Sequence, residues 1–232
     1  MNIIITGASR GIGYELVKLF AENSENRIIA LSRNAAKLKK LQAESTHANI
    51  SILPIDISNE EQVKNEFQKA LSGLKKVDIL INNAGAIVNK PFNELQKPDW
   101  EKVYTVNVFA PFMLIQQALP FMGFSNKSHI VNISSMGGFQ GSVKFAGLSA
   151  YSSSKAAIAC LTECLAEELK GSNIAVNCLA IGAVQTEMLE EAFPGYKAPL
   201  SPVQMAGFIK DFALNGSNYF NGKILPVSLS TP

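Results

Sequence analysis

From one end of the chain to the other, short runs of Ile, Val and Leu alternate with longer stretches whose apolar positions recur every three to four residues. The runs are nearly unbroken, as in parallel strands buried on both faces, and the stretches between them are long enough for crossover helices. Strands are predicted at residues 2–6, 27–32, 50–55, 77–82, 129–134, 173–180 and 223–229. Helices are predicted at 11–22, 35–44, 60–71, 100–122, 151–170 and 202–214, the last opened by Ser201 as N-cap and Pro202 in the first turn. Such alternation predicts an α/β chain with a Rossmann-type doubly wound fold: a single seven-stranded parallel sheet, helices on both faces, right-handed crossovers. One domain then accounts for residues 1–232.

Composition adds mainly exclusions. A chain of 232 residues that is 47% hydrophobic and 17% charged can bury a core. The net charge of +2 comes without a block of Lys or Arg, so no nucleic-acid partner is expected. The longest apolar stretch, 108–115, is interrupted by Pro111 and falls far short of the roughly 18 residues of a membrane span, so no membrane partner is expected either. Met1 leads directly into the first strand with no signal-peptide pattern, and Cys160, Cys164 and Cys178 lack disulfide or zinc spacing. They read as small buried hydrophobes in a reducing compartment, with no metal site and the cytoplasm as the expected location. His47 and His129 lack the partners of a catalytic triad, and no Gly-x-Ser-x-Gly elbow is present, which disfavours a hydrolase. Two irregular regions remain: a Gly/Ser-rich loop within 134–154, and 187–200 with Pro194, Gly195 and Pro199, short for a lid over a large ligand. Substrate selectivity is expected to reside there.

Three constellations point to chemistry. Thr6-Gly7-Ala8-Ser9-Arg10-Gly11-Ile12-Gly13 follows the first strand and opens the first helix, where backbone N–H groups and the helix dipole favour a phosphate. At the end of the second strand, where an acidic residue would bind the ribose hydroxyls of NAD, the chain carries Ser32 and Arg33. A guanidinium fork suits a 2′-phosphate that a carboxylate would repel, and Arg10 can reach the same group, so NADP(H) is favoured over NAD, with solvated surface arginines as the bland alternative. Tyr151 and Lys155 stand four apart on one helix face, after Ser134-Ser135 at a strand end. A neighbouring ammonium would lower the phenol pKa from about 10 and make it a working acid/base. The alternative is an aromatic at a helix start beside a surface lysine.

Taken together, these residues resemble the short-chain dehydrogenase/reductase family, in the subgroup with the glycine motif TGxxxGxG. The resemblance covers nearly the whole chain and rests on Thr6 to Gly13, Asp56 after the third strand, Asn82-Asn83-Ala84-Gly85 after the fourth, Asn107, Ser135, Tyr151 and Lys155. It implies a catalytic tetrad of Asn107, Ser135, Tyr151 and Lys155. Tyr151 would protonate a carbonyl oxygen as hydride arrives from NADPH, Ser135 would hold that oxygen, and Lys155 would bind the nicotinamide ribose. Asn107 would hold a water linking Lys155 to solvent. Cofactor contacts are implied for Gly7, Ser9, Arg10, Gly11, Ile12, Gly13, Ser32 and Arg33, for Asp56 and Ile57 at the adenine, and for Asn83, Ala84, Gly85 and Val106 nearby. Gly182, Val184 and Thr186 match the positions that contact the carboxamide.

Two departures stand out: a Ser135-to-Tyr151 spacing of 16, longer than usual, and Ile181-Gly182 where relatives carry Pro-Gly. The expected function is an NADP(H)-dependent oxidoreductase acting on a small or medium carbonyl or alcohol; a non-catalytic NADP(H) sensor or scaffold is the alternative. Apolar residues on more than one face of the two long helices, including Phe109, Phe112, Met113, Leu161 and Leu165, suggest a homodimer or homotetramer, with the final strand ending near Leu229 as a second interface.

Overall fold

The computed structural model describes residues 1–124 and 126–229. Its elements run β1 (Asn2–Thr6), α1 (Gly11–Ala21), β2 (Arg27–Leu31), α2 (Ala35–Ala43), β3 (Ile50–Leu53), α3 (60–72), β4 (Ile79–Asn82), α4 (97–118), β5 (Ser128–Ser135), α5 (Ser149–Glu168), β6 (Ile174–Ile181), α6 (Glu187–Ala192), α7 (Pro202–Asn215) and β7 (Ile224–Val227). All seven strands are parallel and lie in the order β3-β2-β1-β4-β5-β6-β7. The chain builds outward from β1 to β3, then returns to the other side of β1 at β4. That reversal opens a crevice at the carboxyl ends of the strands, where open α/β sheets bind ligands.

Strand periodicity divides the core in two. Ile3 and Ile5 pack with Leu16 and Phe20 of α1 and Ile209 of α7 on one face; Ile4 packs with Phe67 of α3 and Leu114 of α4 on the other. Near the amino end of β5, buried His129 has Nδ1 3.0 Å from the Ala213 carbonyl and Nε2 3.0 Å from the Asn177 side-chain nitrogen. Nδ1 therefore donates and Nε2 accepts, and burial pushes the imidazole pKa down to about 4.

The predicted elements are present, with shifted boundaries. Helix α4 begins at Lys97, because Gln96 and Asp99 form a capping box, and gives way after Ala118 to a 3₁₀ turn at Leu119–Phe121 containing Pro120. It also contains a π-helical turn, Thr105–Phe109, and α3 contains another at Val63–Phe67. Inside the region expected to be irregular, α6 forms: the Thr186 hydroxyl accepts from Leu189 N at 3.3 Å, and Glu187 and Glu190 occupy the first turn. The cysteine reading is corrected in part. Cys178 is buried in β6, but Cys160 and Cys164 are exposed on α5. The final strand expected to form a second interface is β7, at the edge of the sheet; residues 230–232 that follow it lie outside the described residues.

Candidate active site

A groove of about 750 Å³ runs along the carboxyl edge of the sheet and is walled by the segments that follow β1, β2, β3, β4, β5 and β6. Gly7, Ser9, Arg10, Gly11, Ile12, Ser32, Arg33, Asp56, Ile57, Asn83, Ala84, Gly85, Val106, Ser135, Tyr151, Lys155, Gly182, Val184 and Thr186 all line it. Of the site residues read from sequence, Gly13 and Asn107 are not among its lining. Gly13 is buried in the motif's own packing: a Cβ there would lie 2.4 Å from the Gly7 carbonyl oxygen. It lets the first turn of α1 press against β1 instead of meeting a ligand.

At one end, Thr6 joins the two sides of the crevice. Its hydroxyl accepts from Asn83 N at 3.0 Å and Ala84 N at 2.9 Å, and the Asn83 side chain donates to the Thr6 carbonyl at 2.9 Å. Arg10 is the N-cap residue of α1 and supplies no side-chain cap, so amides of the first turn remain available to an anion beside the groove-lining Gly11 and Ile12. Ser32 donates to Ser9 across 2.7 Å, placing two hydroxyls side by side at the end of β2. Arg33 is exposed and, among the described residues, forms no ion pair, whereas the Arg10 guanidinium is paired with Glu191 of α6. Asp56 lines the groove while forming an Asx turn, its Oδ1 accepting from Ser58 N at 2.9 Å and Ser58 Oγ at 2.6 Å. Uncapped helix amides, paired hydroxyls, guanidinium groups and a long groove together fit a dinucleotide cofactor.

At the other end, Ser135 and Tyr151 both line the groove, with the serine hydroxyl favouring the phenolate. Ser134, facing the opposite way along β5, donates to the Lys155 carbonyl at 2.6 Å and so clamps α5 to the sheet. Close approach helps seat the helix: a Cβ on Gly138 would lie 2.5 Å from the Lys155 carbonyl carbon. Lys155 is almost wholly buried and donates to the Ile133 carbonyl at 2.8 Å, with Nζ 5.8 Å from the centroid of the Tyr151 ring. Burial pulls the Lys155 ammonium down to about 8.

The phenol departs from the sequence expectation. Burial pushes the Tyr151 pKa above its ordinary value, and the Ser135 hydroxyl opposes this only in part. The lysine is directed toward a main-chain carbonyl, which leaves desolvation dominant. Asn107 likewise differs from a residue open to the groove. Its Oδ1 accepts from Ala86 N at 2.7 Å, and its Nδ2 donates to the Ala86 carbonyl and to Ser154 Oγ, each at 2.9 Å. The side chain is thus a staple between the loop after β4 and α5.

Both irregular regions contribute to the groove, Phe145 and Leu148 from one and Met188, Leu189, Phe193 and Tyr196 from the other. Ile181 remains in the ladder, opposite Ser135 and Val227, and Gly182 N donates to the Val227 carbonyl at 2.8 Å, so the strand continues where a proline would remove a donor. Several participants carry no motif in the sequence: Ser154, the Ile133 carbonyl, and Glu187 and Glu191 of α6. Only the last two had a local signal, since Thr186 followed by Glu-rich sequence is a helix start.

Comparisons with known proteins agree with this geometry. The short chain dehydrogenase family model matches residues 1–197. The chain is 30% identical to the 3-oxoacyl-[acyl-carrier-protein] reductase FabG of Chlamydia trachomatis over 97% of this chain and 94% of that one. It is 33% identical to an uncharacterised oxidoreductase of Staphylococcus saprophyticus, over 81% and 76% of the two chains. Among solved structures, ElxO with NADP bound superposes with a TM-score of 0.86 at 28% identity, covering 98% of this chain and 96% of that one. A 4-hydroxyisoleucine dehydrogenase mutant complexed with NADH and succinate gives 0.86 at 30% identity, covering 98% and 97%. The chain is therefore an oxidoreductase that belongs to the short-chain dehydrogenase/reductase family.

Proposed function

We propose that this protein is an NADP(H)-dependent oxidoreductase that interconverts a carbonyl and an alcohol, with Tyr151 as general acid and base. The observation that carries the proposal is that Ser135, Tyr151 and Lys155 line one groove, with Lys155 Nζ 5.8 Å from the centroid of the Tyr151 ring. The bound nicotinamide supplies or accepts the hydride. In reduction, Tyr151 Oη gives its proton to the substrate oxygen while the Ser135 hydroxyl donates to that same oxygen, and in oxidation the proton returns to Oη. Lys155 stabilises the phenolate left by proton transfer, offsetting the desolvation that otherwise holds the phenol protonated. Asn107 serves by holding the loop after β4 against α5.

Preference for the phosphorylated cofactor rests on Ser32 and Arg33 at the end of β2, where no carboxylate stands to repel a 2′-phosphate. Gly7, Ser9, Gly11 and Ile12 cradle the pyrophosphate, Asp56, Ile57, Asn83, Ala84, Gly85 and Val106 surround the adenosine, and Gly182, Val184 and Thr186 flank the nicotinamide. The apolar character of Phe145, Leu148, Met188, Leu189 and Phe193 favours a neutral, medium-sized carbonyl substrate. Phe109 and Phe112, exposed on α4, are read as the interface of a homodimer or homotetramer. Three thiols without disulfides suit the cytoplasm.

The test is consumption of NADPH and NADH by the purified protein over a chemically diverse carbonyl panel, with Tyr151→Phe alongside. Tyrosine-dependent oxidation of NADPH is expected. Turnover that survives Tyr151→Phe would overturn the mechanism, and a preference for NADH would overturn the cofactor assignment. Light scattering that gives a concentration-independent monomer would reject the oligomer.

A further inference from the structure

Helix α6 places two carboxylates, one helical turn apart, on the two features that recognise phosphate at the cofactor end of the groove. Glu191 Oε1 and Oε2 lie 2.5 and 3.4 Å from Nη1 and Nη2 of Arg10, a forked pairing that uses both terminal nitrogens. Glu187 Oε2 lies 3.6 Å from where a Cβ on Gly11 would stand, beside the amino end of α1. The first contact occupies a guanidinium suited to a 2′-phosphate; the second sets a negative charge where a pyrophosphate would sit. Arg10 is partly and Glu191 largely exposed, at 38% and 61%, so the pair is weakly held and exchangeable.

We propose that Glu191 is a specificity-determining residue for the cofactor: its carboxylate takes the Arg10 fork in competition with the 2′-phosphate, so that NADP(H) binds by exchanging one anion for another and releasing α6 from the glycine turn. This rests on the NADP(H) reading above, in which Arg10 faces the 2′-phosphate. The phosphate wins the exchange because it carries about −1.5 to −2 charges and three acceptor oxygens, against one charge and two oxygens on Glu191. Arg33, unpaired among the described residues, adds to the phosphate without competing for the carboxylate. Glu187 acts differently, because both NADPH and NADH carry a pyrophosphate. Its charge disfavours both, although it also bears on the Arg10 guanidinium, whereas that of Glu191 disfavours NADPH through Arg10 alone. Charge on α6 therefore tunes selectivity at Glu191 and chiefly overall affinity at Glu187.

The test is equilibrium binding of NADPH and NADH, followed by nicotinamide fluorescence, to the wild type, Glu191→Gln, Glu187→Gln, Arg10→Ala and the Arg10→Ala/Glu191→Gln double variant. Glu191→Gln is expected to tighten NADPH about 2- to 5-fold, the range of an exposed ion pair, and to leave NADH within about 1.5-fold. In the Arg10→Ala background the Glu191→Gln gain should vanish, and Glu187→Gln should tighten both cofactors by a similar factor. An unchanged NADPH dissociation constant in Glu191→Gln, an equal gain for NADH, or a gain that persists without Arg10 would overturn the proposal. Tighter binding of NADH by the wild type would overturn the cofactor reading alone. The exchange is then still decided by whether Glu191→Gln improves NADPH through Arg10.

Discussion

Lys155, which lines the groove, and Glu191, which pairs with the groove-lining Arg10, are anchored in opposite ways. Lys155 is 4% exposed, donates to a strand carbonyl, and sits on a helix turn whose own carbonyl is held by Ser134. Glu191 stands on a six-residue helix and reaches the rest of the protein through a largely exposed ion pair. Desolvation makes each polar contact at the first position costly to break, while water and salt weaken the second. The end of the groove that holds Tyr151 and Lys155 is thus built to keep one geometry, whereas the contact made by α6 is open to water and salt.

The largest effect should come from the reacting oxygen itself. Tyr151→Phe preserves the ring and its packing and is expected to lower kcat/KM by about 10² to 10⁴-fold, the usual scale for a general acid, with an unchanged melting temperature. Steady-state kinetics beside a thermal melt check this, and a loss explained by unfolding would contradict the comparison.

Asn107→Ala should follow. It leaves the Ala86 N–H and C=O and the Ser154 hydroxyl without their shared partner, at a cost of about 2–4 kcal/mol of stability measured by denaturant unfolding. A change below about 0.5 kcal/mol would show that the staple is not needed to hold the catalytic end.

The strand bearing Ser135 also carries a pH-sensitive element. His129 has a folded pKa of about 4 against an ordinary 6.5, so the fold favours the neutral ring. Its contribution is fully present above pH 6.5 and is lost as pH falls toward 4, because the unfolded chain takes up the proton first. Between pH 7 and 5 this amounts to about 2 kcal/mol of lost stability, which His129→Gln should flatten in a pH series of unfolding curves.

Smallest of all, Glu191→Gln should change global stability by less than about 0.5 kcal/mol, whatever it does to cofactor binding. A destabilisation as large as that of Asn107→Ala would erase the distinction between the two ends.

What could be read before folding follows the same division. Strand runs such as Asn2–Thr6 were legible because burial on both faces demands continuous apolar residues, and the glycine turn, the Asn-Asn-Ala-Gly run and the Tyr151/Lys155 spacing because local backbone geometry demands particular residues at fixed offsets. The short helix at Glu187–Ala192 was masked by the Pro and Gly that follow it, although Thr186 announced it. The exposure of Cys160 and Cys164 could not be read from composition, since a helix carries no local record of which side its neighbours leave uncovered.

The sequence by itself determined the order of elements, their layering and the family, because periodicity and turn chemistry act over a few residues at a time. Only the tertiary structure decided what the polar groups do. It turned Asn107 toward Ala86, directed Lys155 to the Ile133 carbonyl, and set Arg10 against Glu191, 181 residues away. Those pairings depend on which buried donors and acceptors come within reach once the sheet has closed, and sequence separation carries no information about that.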